Sequence, residues 1–140
     1  MPYLFIGEKR SKTAIAKGWT WADGRLAAKT LQEALAQLGL EHGKHYECVN
    51  LFYDNGTLDP VILTLAHRRQ LQGWDVVGMG ARVAQALRTY GLPHLRIIHP
   101  AARGKIRNRA TYHAHVKERL STVLLSGCGI GRLVRQDQAL

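Results

Sequence analysis

Cysteine is almost missing from this chain, which has Cys48 and Cys128 and no other. Two thiols build neither a disulfide framework nor a four-thiolate metal site, so they read as reduced cysteines in a cytoplasmic protein. Long apolar runs are missing too. None approaches the ~18 residues of a membrane span, which predicts no membrane partner. The opening residues, Met-Pro-Tyr-Leu-Phe-Ile, lack the basic segment and long apolar stretch of a secretory leader. Acidic residues are scarce: ten Asp+Glu stand against twenty Lys+Arg, a net charge of +10 with histidines neutral. A positive field of that size favours a polyanionic partner, and nucleic acid is the commonest.

What is present suits one folded unit. Hydrophobic residues make up 46% of 140 positions, enough for a single core. The expected division is one domain over residues 1–125 and a tail, 126–140, that is glycine-rich and then polar. No repeat or low-complexity segment appears.

The stretch from Asp75 to Arg109 organises the rest. Val76-Val77 is a short apolar run that ends in Gly78-Met79-Gly80, and a helical pattern follows with Val83, Ala84 and Leu87 on one face. Gly91 and Pro93 punctuate its end. A second apolar run, Leu95 to Ile98, stops at His99-Pro100. Strand, glycine turn, helix, strand is a βαβ unit with a right-handed crossover.

The same logic extends through the chain. Tyr3 to Ile6 reads as a buried first strand closing at Gly7. Little regular pattern follows until Asp23, which predicts a long loop carrying Trp19 and Trp21. Asp23 is the expected N-cap of a helix with Leu26, Ala27, Leu31, Ala34, Leu35 and Leu38 inside, ended by Gly39. Tyr46 to Leu51 reads as strand two, Asp54-Asn55-Gly56 as a turn, and Asp59-Pro60 as the start of a helix to about Gln72. A last helix is expected from Asn108 to about Leu125, with Val116, Leu120 and Leu124 apolar. The order β-α-β-α-β-α-β-α implies an α/β fold, a three-layer α/β/α arrangement around a four-stranded parallel sheet. All four strand-to-helix loops then leave one sheet edge, where such folds hold ligands.

Several familiar motifs are absent or broken. Gly78-x-Gly80-x-x-Val83 resembles a dinucleotide fingerprint but follows the third strand, so a tight turn is its simpler role. Gly7-Glu-Lys-Arg-Ser-Lys-Thr is one residue short of a phosphate loop and has Ser11 where a second glycine belongs, with no helix expected at Lys12. His113-x-His115 is spaced so that the rings face different ways on a helix, and His42-x-x-His45 has no acidic or thiol neighbours. Both read as solvated surface, and no metal is predicted. No serine sits in a G-x-S-x-G turn.

Four kinds of group remain at the strand ends. Glu8 is a carboxylate after strand one, and Asn50 is an amide at the end of strand two. Trp19 and Trp21 offer a stacking surface, and His99 a donor to a leaving group. Each also has a structural reading: Glu8 paired with a cation, Asn50 capping a turn, a tryptophan covering the core. Lys9, Arg10, Arg103, Lys105, Arg107 and Arg109 are the expected phosphate contacts around the same mouth.

LFIGE at Leu4–Glu8, the segment Gly18–Leu38, YECVNL at Tyr46–Leu51, VVGMGARVAQAL at Val76–Leu87 and HPAA at His99–Ala102 together resemble the uracil-DNA glycosylase superfamily, most closely its shorter branches. The resemblance covers most of the chain. It implies a monomeric DNA-repair enzyme that flips a damaged base from DNA and hydrolyses its N-glycosidic bond. Glu8, in its Gly7-Glu8 pair, would position the water. Trp21, or Trp19 with a shifted loop, would stack on the base. Asn50 would read it, and His99 would stabilise it as it leaves. With two cysteines no iron–sulfur cluster is expected, and no cofactor. The family's G-E-x-P-G becomes Gly7-Glu8-Lys9-Arg10-Ser11 here, so a catalytically silent protein that binds nucleic acid or a nucleotide is the alternative.

Overall fold

A computed structural model describes residues 2–102, 104, 106 and 108–125. Arg103, Lys105, Arg107, the Leu124 side chain and the tail with Cys128 lie outside the described residues. Four strands, β1 (Tyr3–Gly7), β2 (Tyr46–Asn50), β3 (Asp75–Met79) and β4 (Leu95–Ile97), form one parallel sheet in the order β2-β1-β3-β4. Every residue of β1 and β3 is buried. Strands covered on both faces need no polar alternation, which is why both read as continuous apolar runs.

Side-chain alternation sends the two faces of β1 into two cores. Tyr3 and Phe5 pack with Leu31 and Leu35 of α2 (Ala27–Ala36) and with Tyr112, Val116 and Leu120 of α5 (Arg109–Leu125). Leu4 and Ile6 pack with Ala66 of α3 (Pro60–Leu71) and with Val83 and Leu87 of α4 (Ala81–Thr89). Helices therefore cover both faces of the sheet, as the element order predicts. No helix among the described residues is long and apolar enough to cross a membrane.

Two local expectations are corrected. The segment after β1 is not an irregular loop: Lys12–Lys17 forms a short helix, α1, capped by Ser11 Oγ, which accepts the Ala14 N–H at 3.1 Å. Gly18, at φ 70°, ends it. A helix does start at Lys12, and it left no apolar period because none of its residues is buried. Asp23 does not cap α2. Its carboxylate accepts the Thr20 N–H at 2.6 Å and closes a 3-10 turn, Trp21–Asp23. The next helix then begins beyond Leu26, a non-glycine residue at φ 55°.

The edge strand β4 has outward-facing backbone groups that no fifth strand among the described residues satisfies. Side chains of α5 do so instead. Tyr112 Oη donates to the Ile98 carbonyl at 2.9 Å, His115 Nε2 accepts the Ile98 N–H at 2.9 Å, and Arg119 Nε donates to the Arg96 carbonyl at 2.9 Å. His115 is thus a structural partner rather than solvated surface. Shielding the edge this way removes a template for unwanted strand pairing. It also fixes the chain immediately before His99.

Burial holds three imidazoles, those of His94, His99 and His115, below their ordinary pKa of 6.5. Lowered folded-state values mean that the unfolded chain takes up protons first as pH falls. The stability these groups contribute is therefore complete above about 6.5 and lost progressively below it. Urea midpoints should fall between pH 7.5 and 5.5, and His94→Phe should flatten part of that fall. A pH-independent midpoint across this range would show the imidazoles to be solvated.

Candidate functional site

The chain leaves β1 towards β2 on one side and returns to β3 on the other. Outside the carboxyl ends of β1 and β3 the connections diverge, the position at which open α/β sheets form their ligand crevice. Gly7 ends β1 at its rim, opposite Asn50 in the β1–β2 register. A Cβ at Gly7 would lie 2.9 Å from Asn50 Oδ1 and 2.9 Å from Trp21 Cζ2. Glycine is needed there for close approach, since those two side chains meet directly over it.

Trp21 Nε1 donates to Asn50 Oδ1 at 2.9 Å. The indole N–H only donates, so the amide oxygen must face it and Nδ2 must face away. Trp21 is itself held: Gln32 Nε2 donates to its carbonyl at 2.9 Å, and its ring packs against the core that includes Phe5 and Met79. Asn50 Nδ2 has no hydrogen-bond partner among the described residues.

His99 follows β4, with its ring centroid 6.4 Å from that of Trp21 and the planes at 58°. Its Nδ1 accepts the Ala101 N–H at 3.0 Å. In the neutral ring the proton therefore sits on Nε2. Burial pushes the imidazole down from its ordinary value, and the Glu8 carboxylate partly opposes this. Gly80, at φ 94°, carries the chain past His99 at the start of α4.

Glu8 continues the side-chain parity of Leu4 and Ile6, so it leaves the sheet on the α4 side of the crevice. Arg82 Nη1, in the first turn of α4, donates to Glu8 Oε2 at 2.9 Å. Arg82 Nη2 donates to the Gly56 carbonyl at 2.8 Å, and the guanidinium lies 4.1 Å from the Phe52 ring centroid. Arg82 was missed from sequence. Its signal was a lone cation directly after Gly80-Ala81, and its partner is 74 residues away.

The remaining candidates divide. Trp19 does not join Trp21; it stacks with Arg25 at 5.6 Å and accepts from Arg10 through its carbonyl. Arg10 forks the Asp54 carboxylate at 2.6 and 3.2 Å, and Arg109 pairs with Glu33 at 3.1 Å. Lys9 is exposed beside Gly56. Cys48 is a free thiol that burial pushes up to about 12, which leaves it protonated and unreactive. Among the described residues no cluster of His, Cys, Asp and Glu could hold a metal ion. A groove of about 640 Å³ between α2 and α5 contains none of the strand-end groups, so concavity and convergent polar chemistry lie in different places.

No protein-family model matches this chain, and no curated protein matches it in sequence.

The contact over Gly7 gives a direct check. Gly7→Ala should push Trp21 and Asn50 apart and cost about 1–3 kcal/mol, as overpacking does. Urea denaturation followed by tryptophan fluorescence reads both effects. An unchanged midpoint and spectrum would mean that the two side chains do not meet over this backbone.

Proposed function

We propose that the protein is a glycosylase-like N-glycosyl hydrolase that removes a modified, uracil-like base from DNA. The observation carrying this reading is one constellation around the crevice: Asn50 held by Trp21 and His99 with its proton on Nε2 on one side, and across from them the Glu8 carboxylate, whose charge acts on His99. Three distant strand ends supply it, in the order that the resemblance to the uracil-DNA glycosylase superfamily implies.

The chemistry follows from those groups. A flipped base enters the crevice and meets the Asn50 amide. The bond from C1′ to the base nitrogen breaks, and its electron pair passes to the base. His99 Nε2–H donates to a carbonyl oxygen of the base as negative charge develops there. Glu8 orients a water whose oxygen bonds to C1′, and the proton that water loses passes to the carboxylate. A neutral imidazole suits the donor role, since Nδ1 is committed to Ala101.

One observation favours a second reading, a silent protein of this fold that binds nucleic acid or a nucleotide. The Glu8 carboxylate is already ion-paired to Arg82 at 2.9 Å, with both side chains partly exposed. That arrangement fits a structural strut as well as a water-positioning group. In either reading the protein is a cytoplasmic monomer with a polyanionic partner.

Oligonucleotides carrying uracil, hypoxanthine or xanthine, scored for abasic sites by alkaline cleavage, separate the two. The hydrolase reading expects product on at least one. His99→Ala should then cost roughly 10²–10³ in rate, on the model of an oxyanion donor. Glu8→Gln should be slow as well; full activity would remove Glu8 from the mechanism. No product on any substrate, with binding retained, selects the silent reading.

The charge makes a separate expectation. Neutralising Lys9, Arg103 and Lys105 together should weaken DNA binding and reduce the slope of log affinity against log salt by roughly 2–3 units. An unchanged slope would assign the +10 charge to another purpose.

A further inference from the structure

We propose that Trp21 acts by its edge and not its face: it is the positioning residue that fixes which end of Asn50 meets the ligand. It thereby sets the ligand class as a planar ring bearing carbonyl acceptors rather than amino donors. This deepens the base-excising reading above and rests on it.

Asparagine alone is ambidextrous. Its amide offers an acceptor at one end and donors at the other, and a half turn about the last bond exchanges them. In an open crevice the side chain would serve a carbonyl or an amino group alike. The indole N–H removes that freedom. With Nε1 at 2.9 Å from Oδ1, a flipped amide would set two donors against each other. The cost is the lost hydrogen bond plus a half-buried N–H left unpaired.

The lock holds only if Trp21 cannot move aside, and four contacts restrain it. Gln32 Nε2 holds its carbonyl at 2.9 Å. Asp23 closes the 3-10 turn that carries it by accepting the Thr20 N–H. Its ring packs on the core next to Met79, and its Cζ2 rests over Gly7, where a Cβ would intrude at 2.9 Å. Phenylalanine would fill much of the same space but has no N–H to direct the amide.

His99 is fixed in the same sense by a different donor. The Ala101 N–H points at Nδ1, so Nε2 is the nitrogen that carries hydrogen. Asn50 Nδ2 and His99 Nε2 are thus two N–H tips without a hydrogen-bond partner among the described residues. A ring with carbonyl oxygens satisfies both. A ring with an exocyclic amino group sets N–H against N–H at one of them. The sequence reading of Trp21 as a stacking surface uses its face, which the edge contact to Asn50 does not require.

Proton NMR of the whole, unliganded protein tests the lock. The Trp21 indole N–H should exchange slowly with solvent, and Asn50→Ala should accelerate it. Titration with free uracil and free cytosine then tests the ligand class. Uracil should bind about tenfold more tightly than cytosine, the worth of one ordinary hydrogen bond. Trp21→Phe should bring the two within about threefold of each other. Asn50→Asp should reverse the preference, because the carboxylate presents only acceptors. Adding Trp21→Phe to Asn50→Asp should leave that reversed ratio unchanged, since the two carboxylate oxygens are equivalent when turned over.

A stacking role predicts otherwise: Trp21→Phe would weaken both bases equally in both backgrounds and leave the ratio alone, which overturns the proposal. A rapidly exchanging indole N–H overturns the lock itself. A protected N–H with neither base bound overturns the functional reading and the ligand class together, and leaves the lock standing.

Discussion

Strand β1 has no side that faces water, and the rest of the structure depends on this. Its five residues are buried, with β2 and β3 on its two edges and a helix pair over each face. Such a strand must end in something that needs no space of its own, or the elements leaving its neighbours collide with it. Gly7 meets that need. Because it carries no side chain, Asn50 from β2 and Trp21 from the β1–β2 connection close over it. One residue later the parity reverses, and Glu8 emerges on the α4 side against Arg82. The crevice is thus divided by the alternation of a single strand: an amide, an indole and an imidazole on one side, a carboxylate on the other.

That division explains what the sequence disclosed. Buried strands with both faces covered are continuous apolar runs, so β1 and β3 were legible to within a residue or two. The ends of β1, β3 and β4 were legible because glycine and proline mark them, that of β2 through the turn at Asp54–Gly56, and the parallel order brings Glu8, Asn50 and His99 to one edge. The α1 helix was invisible for the opposite reason: it buries nothing, so it has no apolar period, only the Ser11 cap and Gly18. Asp23 misled because an acidic side chain before a helical pattern suits either of two turns, and the nearer one took it. The long-range pairs could not be read at all. Arg82 with Glu8, and Tyr112 and His115 with Ile98, join elements whose closeness only the fold creates.

The positive charge also looks different once paired. Four ion pairs among the described residues use arginine: Arg10 with Asp54, Arg69 with Glu47, Arg82 with Glu8 and Arg109 with Glu33. The planar guanidinium suits this, because one fork can hold two groups at once, as Arg82 holds Glu8 and the Gly56 carbonyl. Such exposed pairs add little stability each. Their effect is geometric: Arg10 and Arg82 tie the turn at Asp54–Gly56 to the β1 and β3 ends. The lysines of the connection after β1, Lys9, Lys12, Lys17 and Lys29, enter none of these pairs. They are compact charges on flexible stems, suited to a phosphate backbone whose position varies.

Preorganisation in the crevice rests on hydrogen bonds that leave each polar tip one chemical sense. The Ala101 N–H makes Nδ1 of His99 an acceptor and so makes Nε2 a donor. Trp21 does the same for Asn50. Neither device works if the group can change state, and burial disfavours that for His99. The charged ring would need a proton on Nδ1, which would then face the Ala101 N–H, so desolvation and this clash disfavour the same species. Glu8 pulls the other way, and an unpaired carboxylate there would favour the imidazolium. Its partnership with Arg82 spreads the negative charge over an ion pair and weakens that pull. The arginine that holds Glu8 therefore acts on the same carboxylate that His99 senses, and the Nε2 edge of the neutral ring presents a fixed N–H dipole.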